Sequence, residues 1–367
     1  MKIFLFLFLF FTGSLLQAQL IVGATKTPIQ LVEDILVGSG VSPVNIKFNG
    51  SFSSAGIIKD QIAEFSTNFN QTNLGLSNGI LLTTGKADLA LGPNNSSSKS
   101  ILPAVSYQGD ADLALLTTQQ IANVAVLEFD FVATGTTLNF QYVFASEEYP
   151  EYVNNSAYSD VFGFFISGPG ITGVFSGNAK NIAAVPNTII PISINTVNNG
   201  INNSGICTNC PYYYNNTSIG VNPTTWNPSY TTQYDGFTTP ITAEATLVIG
   251  QTYHVKFAVA NVSDNSYDSG VFIRNFNTNT LGLAENELAS GFVVYPNPSN
   301  SFVTVSNASK AVITEINILD SNGRKVESQK RETVSDVTLN ISKLNSGVYF
   351  LEIISAEGKT VKKVIKQ

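Results

Sequence analysis

The chain has few of the residues from which most catalytic and metal centres are built. Its 367 residues include one His, two Cys, one Met and one Trp, and only 12% are charged. A single His excludes a metal site with two imidazole ligands and allows at most one His-based acid–base site. Two Cys cannot form a disulfide framework. These shortages exclude several common classes of enzyme and metalloprotein.

The charge balance of the chain is acidic. The formal net charge is −7 and the sequence pI is about 4.8, so the chain lacks the basic surface that nucleic acids bind. What it does contain is an apolar content of 43%, together with 28 Gly and 14 Pro. This length and composition predict two turn-rich domains with β structure and sizeable cores.

The first 19 residues have the pattern of a secretory signal peptide. Lys2 supplies a positive charge, residues 3–11 form an apolar run, and Ala18 is a small residue at the expected cleavage point. The run is too short to cross a bilayer, which takes about 20 apolar residues. No second run of that length follows, so we expect export and no transmembrane segment in the mature chain.

The charge balance changes near residue 280. Residues 281–367 carry ten Lys or Arg and nine Asp or Glu, whereas residues 1–280 carry nine and seventeen. Short alternating strands at regular spacing predict a small Ig-like β-sandwich at the end of the chain. We therefore expect a signal peptide (1–19), a large module (20–280), a linker (281–290) and a small module (291–367).

Four sequence blocks follow one another along the small module. They are Tyr295-Pro296-Asn297-Pro298, Asp320-x-Asn322-Gly323-Arg324, Leu344-x-x-Gly347-Val348-Tyr349-Phe350-Leu351 and Lys362-Lys363-Val364-Ile365-Lys366. Together they resemble the C-terminal sorting domain of type IX secretion in Bacteroidetes. The resemblance implies recognition of residues 291–367 by the type IX machinery, passage through both membranes, and either attachment at the cell surface or release. A generic Ig-like accessory domain is the alternative.

The large module is dominated by segments in which apolar residues alternate. Phe129 and Phe131 lie on one face of such a segment, and residues 161–166 are apolar on both faces, as in a central strand. Helical patterns are confined to residues 53–69 and 111–121. We predict an all-β fold, a two-sheet sandwich resembling a jelly roll with minor helical elements.

Several motifs of the large module are distinctive. They are Leu82-Thr83-Thr84-Gly85-Lys86-Ala87, Gly92-Pro93-Asn94, Gly109-Asp110-Ala111-Asp112-Leu113, the run from Phe144 to Tyr152, the run from Ser159 to Gly170, Tyr234-Asp235-Gly236-Phe237-Thr238 and Asp268-Ser269-Gly270-Val271-Phe272. They are similar to the choice-of-anchor L domain over roughly residues 30–275. This resemblance implies a module placed at the cell surface, and it supplies no catalytic residue.

Acidic residues are concentrated in the second half of the large module. Residues 138–273 contain eight Asp or Glu and two Lys, and most of these acids fall in turns or at strand ends. Carboxylates crowded in this way need water or a cation between them, and Ca²⁺ accepts six to eight oxygen ligands from loops. The candidate metal ligands are Glu147, Glu148, Asp160, Asp235, Asp264 and Asp268. Solvated loop acids and turn caps are the alternative interpretation.

The same acids permit an enzymatic interpretation. A glycoside hydrolase uses two carboxylates a few ångströms apart, and Glu147 with Asp160, or Asp235 with Asp268, would supply such a pair. The one His lies on an alternating strand with no nucleophile motif near it. We therefore expect a binding module rather than an enzyme, with a secreted glycan hydrolase as the alternative.

A long polar segment at residues 198–233 contains the two cysteines and several aromatic residues. Cys207 and Cys210 are spaced for a local disulfide in an exported chain, because no further Cys is available for a zinc site. The aromatic residues either fold back onto the sandwich or contact a sugar or partner. They are Tyr212, Tyr213, Tyr214, Trp226 and Tyr230.

Taken together, the sequence predicts a secreted, surface-attached protein with an adhesin-like or surface-structural function. The large module would bind a glycan or protein ligand, with loops ordered by Ca²⁺, and the small module would direct export.

Overall fold

The computed structural model describes residues 20–23, 25–38, 41–51, 60–67, 72–217, 232–279, 291–307, 311–320, 323–355 and 358–367. The predicted signal peptide and linker, and the aromatic residues Trp226 and Tyr230, lie outside these ranges. The chain divides into two compact units, Met1–Leu281 and Gly282–Gln367.

Thirteen strands of the first unit are described. They are β1 (Ile21–Gly23), β2 (Pro43–Phe48), β3 (Ile62–Ser66), β4 (Asn78–Thr83), β5 (Ile121–Val132), β6 (Thr137–Ser146), β7 (Val161–Ser167), β8 (Lys180–Asn181), β9 (Tyr213–Asn215), β10 (Gly236–Thr238), β11 (Ile241–Thr246), β12 (Thr252–Val262) and β13 (Ser269–Asn279).

These strands form two antiparallel sheets. The larger sheet has the order β1-β3-β4-β13-β6-β10-β9, with β11 also paired to β6, and the smaller has the order β2-β5-β12-β7-β8. Alternation in the sequence explains the sandwich, because Phe129 and Phe131 of β5 point inward and meet Phe276 of β13 at ring distances of 5.2 Å. Both sheets contribute to this main core.

Part of the outer face of each sheet is also buried. Leu81, Val143 and Phe272 of the larger sheet are buried beneath residues of the loops, and Val161 and Phe165 of the smaller sheet are buried with Leu113. Strands apolar on both faces, such as β7, therefore have a core on each side.

Helical structure is minor, as the periodicity of the sequence predicted. The described helical segments are a short α-helix (Pro28–Gln30) continued by a π-helix (Leu31–Leu36), and 3₁₀ turns at Ala87–Ala90, Leu113–Leu115, Ser176–Asn178, Ile201–Asn203 and Cys210–Tyr212.

The helical pattern at residues 53–69 proved wrong where the structure describes it. Ile62–Ser66 is strand β3 and lies between β1 and β4. The pairing of β3 with two neighbouring strands outweighs a helical periodicity that is weak in isolation. Within residues 111–121, only Leu113–Leu115 is helical.

The second unit is a smaller sandwich. Its described strands are β14 (Phe292–Tyr295), β15 (Phe302–Asn307), β16 (Ile313–Leu319), β17 (Lys325–Thr333), β18 (Val337–Asn340), β19 (Gly347–Ser355) and β20 (Gly358–Lys366). One sheet has the order β14-β15-β18 and the other β17-β16-β19-β20. Their inward residues form a separate core around Val305, Ile316 and Ile353. The prediction of an all-β chain with a large and then a small sandwich is confirmed. Among the residues described, no helix is both long and apolar enough to cross a bilayer.

Candidate functional site

Three neighbouring strands of the larger sheet carry an acid at the same level. Ser146, the last residue of β6, is paired with Gly236 at the start of β10 and with Ser269 at the start of β13. The next residue outward on each strand is therefore an acid, and Glu147 lies between Asp235 and Asp268. We call Asp235, Glu147 and Asp268 the acid row.

Backbone contacts hold the acid row together. The Glu147 N–H donates to the Asp268 carbonyl oxygen at 3.1 Å, and the Asn216 N–H donates to the Asp235 carbonyl oxygen at 2.9 Å. Beyond β4, Gly85 leaves room for Asp268, because a Cβ at that position would overlap the Asp268 Oδ2 atom. The acid row therefore crosses the strand ends, with Gly85 next to Asp268 on one side and Asn216 next to Asp235 on the other.

A loop, residues 92–101, covers the acid row and donates one hydrogen bond to each carboxylate. The bonds are Asn94 Nδ2 to Asp235 Oδ1 at 2.6 Å, Lys99 N to Glu147 Oε2 at 3.2 Å and Ile101 N to Asp268 Oδ2 at 2.7 Å. The other oxygen of each carboxylate is buried and has no hydrogen-bond partner; these are Asp235 Oδ2, Glu147 Oε1 and Asp268 Oδ1. In each acid, therefore, one carboxylate oxygen is hydrogen-bonded to the loop and the other is not hydrogen-bonded.

Burial makes ionisation of the acid row unfavourable. The side chains are at most 1% exposed. Burial, followed by the charge of Asp235, raises the pKa of Glu147 to about 9. Burial also raises the pKa of Asp235 to about 8 and that of Asp268 to about 7. At neutral pH the row therefore needs protons or a cation to be stable.

A second acidic pair lies beside the row. One Glu148 oxygen accepts a hydrogen bond from the Asp160 N–H at 3.0 Å, and Asp160 Oδ1 accepts one from the Val262 N–H at 2.9 Å. Burial and mutual repulsion raise the pKa of Asp160 well above its usual value, with a smaller contribution from Asp268. Burial likewise raises the pKa of Glu148. The charge of Asp268 therefore couples this pair to the acid row.

Asp264 differs from the other five candidates. It is half-buried, and its Oδ1 atom accepts a hydrogen bond from the Ser266 N–H at 2.8 Å, as in an Asx turn. Its charge reaches Glu148 and raises the pKa of that residue. The structure therefore gathers five candidates in one buried region and leaves Asp264 at its margin.

Basic side chains do not neutralise this region. The ion pairs among the described residues involve other acids, and none includes a member of the row or the Glu148–Asp160 pair. Lys256 pairs with Asp110 and Asp112, and the one His, His254, pairs with Asp130.

The acids do not converge as one tight set of carboxylate ligands. Within the described ranges, no three His, Cys, Asp or Glu side chains form a group that could hold a metal ion on their own. The donor set nevertheless suits a hard cation, because it consists of buried oxygens with no hydrogen-bond partner. Neutral oxygens from other residues would be needed to complete a coordination sphere.

Further groups with such oxygens are present, and sequence reasoning missed them. Asn261 and Asn203 each have both amide atoms buried with no hydrogen bond within 3.5 Å, and the same holds for the Tyr213 hydroxyl and for one oxygen of the acid Glu151. Glu151 belongs to the acidic block after β6, so its position was a usable signal. Asn261 sits inside an apolar strand, and nothing in its local sequence indicates its position beside the acids.

The family comparisons agree with this division of the chain. The model of the choice-of-anchor L domain matches residues 20–278.

The chain belongs to the choice-of-anchor L domain family.

The small module matches the secretion system C-terminal sorting domain over residues 293–367. This sorting domain indicates export to the cell surface or the extracellular space through interaction with the type IX secretion machinery. A comparison with curated proteins found no match.

Solved structures resemble the chain only weakly. A DUF3244 family protein with an immunoglobulin-like β-sandwich fold from Bacteroides vulgatus is 21% identical, over 21% of this chain and 85% of that one, with a TM-score of 0.19. The BSP domain of a biofilm-associated protein is 8% identical over 84% of this chain and 60% of that one. The adhesin domain of Epf from Streptococcus pyogenes is 8% identical over 96% and 97%. Both have TM-scores of 0.19, and neither a fold nor a ligand follows from likenesses this weak.

The choice-of-anchor L module also carries the predicted cysteine pair. Cys207 and Cys210 form a disulfide with Cα atoms 5.4 Å apart. The described aromatic residues of the same segment fold back: Tyr213 packs on Tyr149 at 4.9 Å, and Tyr214 stacks on Phe237 at 4.9 Å. Tyr213 is thereby placed next to the acidic region, where Asp235 and Glu151 raise its pKa in addition to burial.

The predicted sorting motif lies at the end of β14. Tyr295 and Pro296 lead into Asn297, whose Nδ2 atom donates to the Lys363 carbonyl oxygen at 2.9 Å. Its Oδ1 atom accepts a hydrogen bond from the Ile365 N–H at 2.8 Å. Asn297 thus fastens the motif, which ends at Pro298, to strand β20 of the same unit.

Proposed function

We propose that the choice-of-anchor L module is an adhesin-like interaction module whose acidic region binds Ca²⁺. One observation carries the proposal: the three carboxylates of the acid row are buried at one level, each with one oxygen hydrogen-bonded to loop 92–101 and one oxygen without a partner. A cation among the unpartnered oxygens would replace the protons that the row otherwise needs at neutral pH.

Calcium suits this region better than magnesium. Ca²⁺ tolerates six to eight oxygen ligands in irregular arrangements, including amides and backbone carbonyls, whereas Mg²⁺ demands a compact octahedron. The acids come from separate strand ends and loops, and such a distribution favours the larger ion.

The proposed consequence is an ordered binding surface. Loop 92–101 is held by the same carboxylates that would bind the ion, so cation binding would fix the loop in place. A surface ordered before it meets a glycan or protein ligand loses less entropy on binding. The export signal of the small module would deliver this surface to the cell exterior.

The hydrolase alternative requires carboxylates that a sugar chain can reach. Glu147, Asp160, Asp235 and Asp268 are each at most 1% exposed. This burial favours a structural function of the acids over a catalytic one.

The test is thermal unfolding of the chelator-treated chain with Ca²⁺, with Mg²⁺ and without either. At a Ca²⁺ concentration 100 times the Kd, we expect a stabilisation of about 2.7 kcal/mol. That corresponds to a rise in Tm of roughly 5–10 °C for a module of this size. Asp268→Asn should abolish the rise, whereas Glu244→Gln, at an exposed acid of β11, should leave it intact.

Two results would contradict the proposal. One is an equal Tm with Ca²⁺ and with chelator. The other is turnover on a panel of glycans that disappears in the folded Glu147→Gln variant, since that outcome would establish the hydrolase.

A further inference from the structure

Asn261, near the end of β12, is a buried amide whose side-chain atoms make no hydrogen bond within 3.5 Å. The residue is 0% exposed, and neither Oδ1 nor Nδ2 has a partner. Burying an amide in this way is unfavourable unless another group satisfies it. The position is therefore one at which a ligand is expected.

Two acids with unpartnered oxygens lie near Asn261. Its amide interacts with the Asp268 carboxylate, at a separation longer than an ordinary hydrogen bond, and lowers the pKa of that acid against the effect of burial. Asp160 is tied to the next residue of the same strand, because its Oδ1 atom accepts the Val262 N–H at 2.9 Å. The free atoms are Asp268 Oδ1 and Asp160 Oδ2, and the two carboxylates repel each other.

The three side chains come from different parts of the fold. Asn261 belongs to the smaller sheet, Asp160 precedes β7 of the same sheet, and Asp268 precedes β13 of the larger sheet. All three are at most 1% exposed. They lie near the β12–β13 connection, where the chain passes from the smaller sheet to the larger one.

We propose that Asn261, Asp160 and Asp268 form a divalent-cation site in which the Asn261 amide oxygen is a neutral ligand. This inference rests on the proposed function and specifies where in the acidic region the ion binds. An amide ligand explains why no group of three acidic, His or Cys side chains forms among the described residues. Rotation of the amide by 180° exchanges its N–H₂ and oxygen, so the oxygen can face the ion.

The role of the ion at this site would be to join the two sheets. Asp268 also binds loop 92–101 through the Ile101 N–H, so the ion would connect β12, β7 and that loop. Ca²⁺ accepts carboxylate, amide and backbone carbonyl oxygens in irregular arrangements.

The test is a Ca²⁺ titration by calorimetry of the full, chelator-treated chain, with melting curves in parallel. Asn261→Ala should weaken Ca²⁺ binding by about tenfold or more. Asn261→Asp, which keeps an oxygen at the same place, should retain binding and gain a larger Ca²⁺-dependent rise in Tm. Asn123→Ala is the control, because Asn123 is also a buried amide, but its Oδ1 atom accepts a hydrogen bond from the Ser106 hydroxyl.

The outcomes separate this inference from the proposed function. If Asn261→Ala and Asn261→Asp both bind Ca²⁺ as the unaltered chain does, while Asp235→Asn does not, the ion lies elsewhere in the acidic region and only this inference fails. If the unaltered chain binds no Ca²⁺, both fail. If Asn261→Ala does not fold, loss of Ca²⁺ binding in a folded Asn261→Asp variant still overturns the inference.

Discussion

The Glu147 N–H donates a hydrogen bond to the carbonyl oxygen of Asp268 at 3.1 Å, which holds these two buried acids opposite each other just beyond the ends of β6 and β13. Like charges placed opposite each other on neighbouring strands destabilise a sheet. Asp235 adds a third on the other side of Glu147. The fold thus fixes an arrangement that only protons or a cation can neutralise, and the first prediction follows from that choice.

Without calcium, the protein should become less stable as the pH rises. The pKa values of Glu147, Asp235 and Asp268 in the folded chain, about 9, 8 and 7, exceed those in the unfolded chain, near 4. Between these values the folded state binds more protons than the unfolded state, so the free energy of unfolding falls as pH increases. Urea unfolding in a chelator at pH 5, 7 and 9 measures this.

The same series with Ca²⁺ provides the comparison. A bound cation favours the ionised carboxylates, so the decline between pH 5 and 9 should be smaller. Stability that rises from pH 5 to 8 in the chelator would contradict the raised pKa values.

Gly85→Ala should destabilise the large module. A Cβ at this position overlaps the Asp268 Oδ2 atom and crowds the Ile101 carbonyl oxygen at 2.7 Å. Inserting a methyl group into a packed site costs about 1–3 kcal/mol. Because the displaced atom belongs to Asp268, the Ca²⁺-dependent rise in Tm should shrink as well. The control is Gly109→Ala, whose Cβ meets nothing within 4 Å, and an equal effect of the two substitutions would refute the explanation.

Lys256→Met should be costly in another part of the module. The Lys256 ammonium lies 2.8 Å from Asp110 and 2.5 Å from Asp112, and the Asp112 side chain is only 3% exposed. Removing one partner of a buried ion pair leaves an uncompensated charge, and we expect a loss of about 3 kcal/mol in urea unfolding. Lys26→Met, which breaks the more exposed pair with Asp34, should change stability by less than about 1 kcal/mol.

Acid should weaken the same ion pair. Although burial opposes it, hydrogen bonds from Lys256 and Ser176 lower the pKa of Asp112 below its usual value. The contribution of Asp112 is therefore present above its unfolded pKa and is lost as the pH falls through the folded one. The difference in stability between the unaltered chain and Asp112→Asn should accordingly diminish toward pH 3.

Asn297→Ala should impair export. Asn297 makes two hydrogen bonds to β20, at Lys363 and Ile365, and these hold the Tyr295–Pro298 motif in place. Loss of both should raise the amount of protein retained in the periplasm, measured by cell fractionation. Asn340→Ala removes a single local hydrogen bond to Ser342 and should be exported normally. Equal export of the two variants would mean that the secretion machinery recognises the motif without the hydrogen bonds between Asn297 and β20.

Much of the fold could be predicted from the sequence, because alternation along β5, β6 and β12 distinguishes the two faces of a strand, and the continuous apolar run of β7 indicates a strand buried on both faces. The region of the acids was also predictable, since they follow or precede strand ends. Their burial was not, because it depends on loop 92–101 closing over them. The position of Asn261 could not be predicted either, because only the packing of the two sheets brings its amide close to Asp268.

Because Asn297 is hydrogen-bonded to β20, the sorting motif reaches its native conformation only after the end of the chain has been synthesised. Asn297 and its two hydrogen-bond partners are separated by more than sixty residues, so these bonds form only after residues 363 and 365 have been synthesised. A polypeptide that ends before residue 363 would lack both of the hydrogen bonds that hold Asn297. The order of synthesis therefore makes the native conformation of the sorting motif depend on an intact β20.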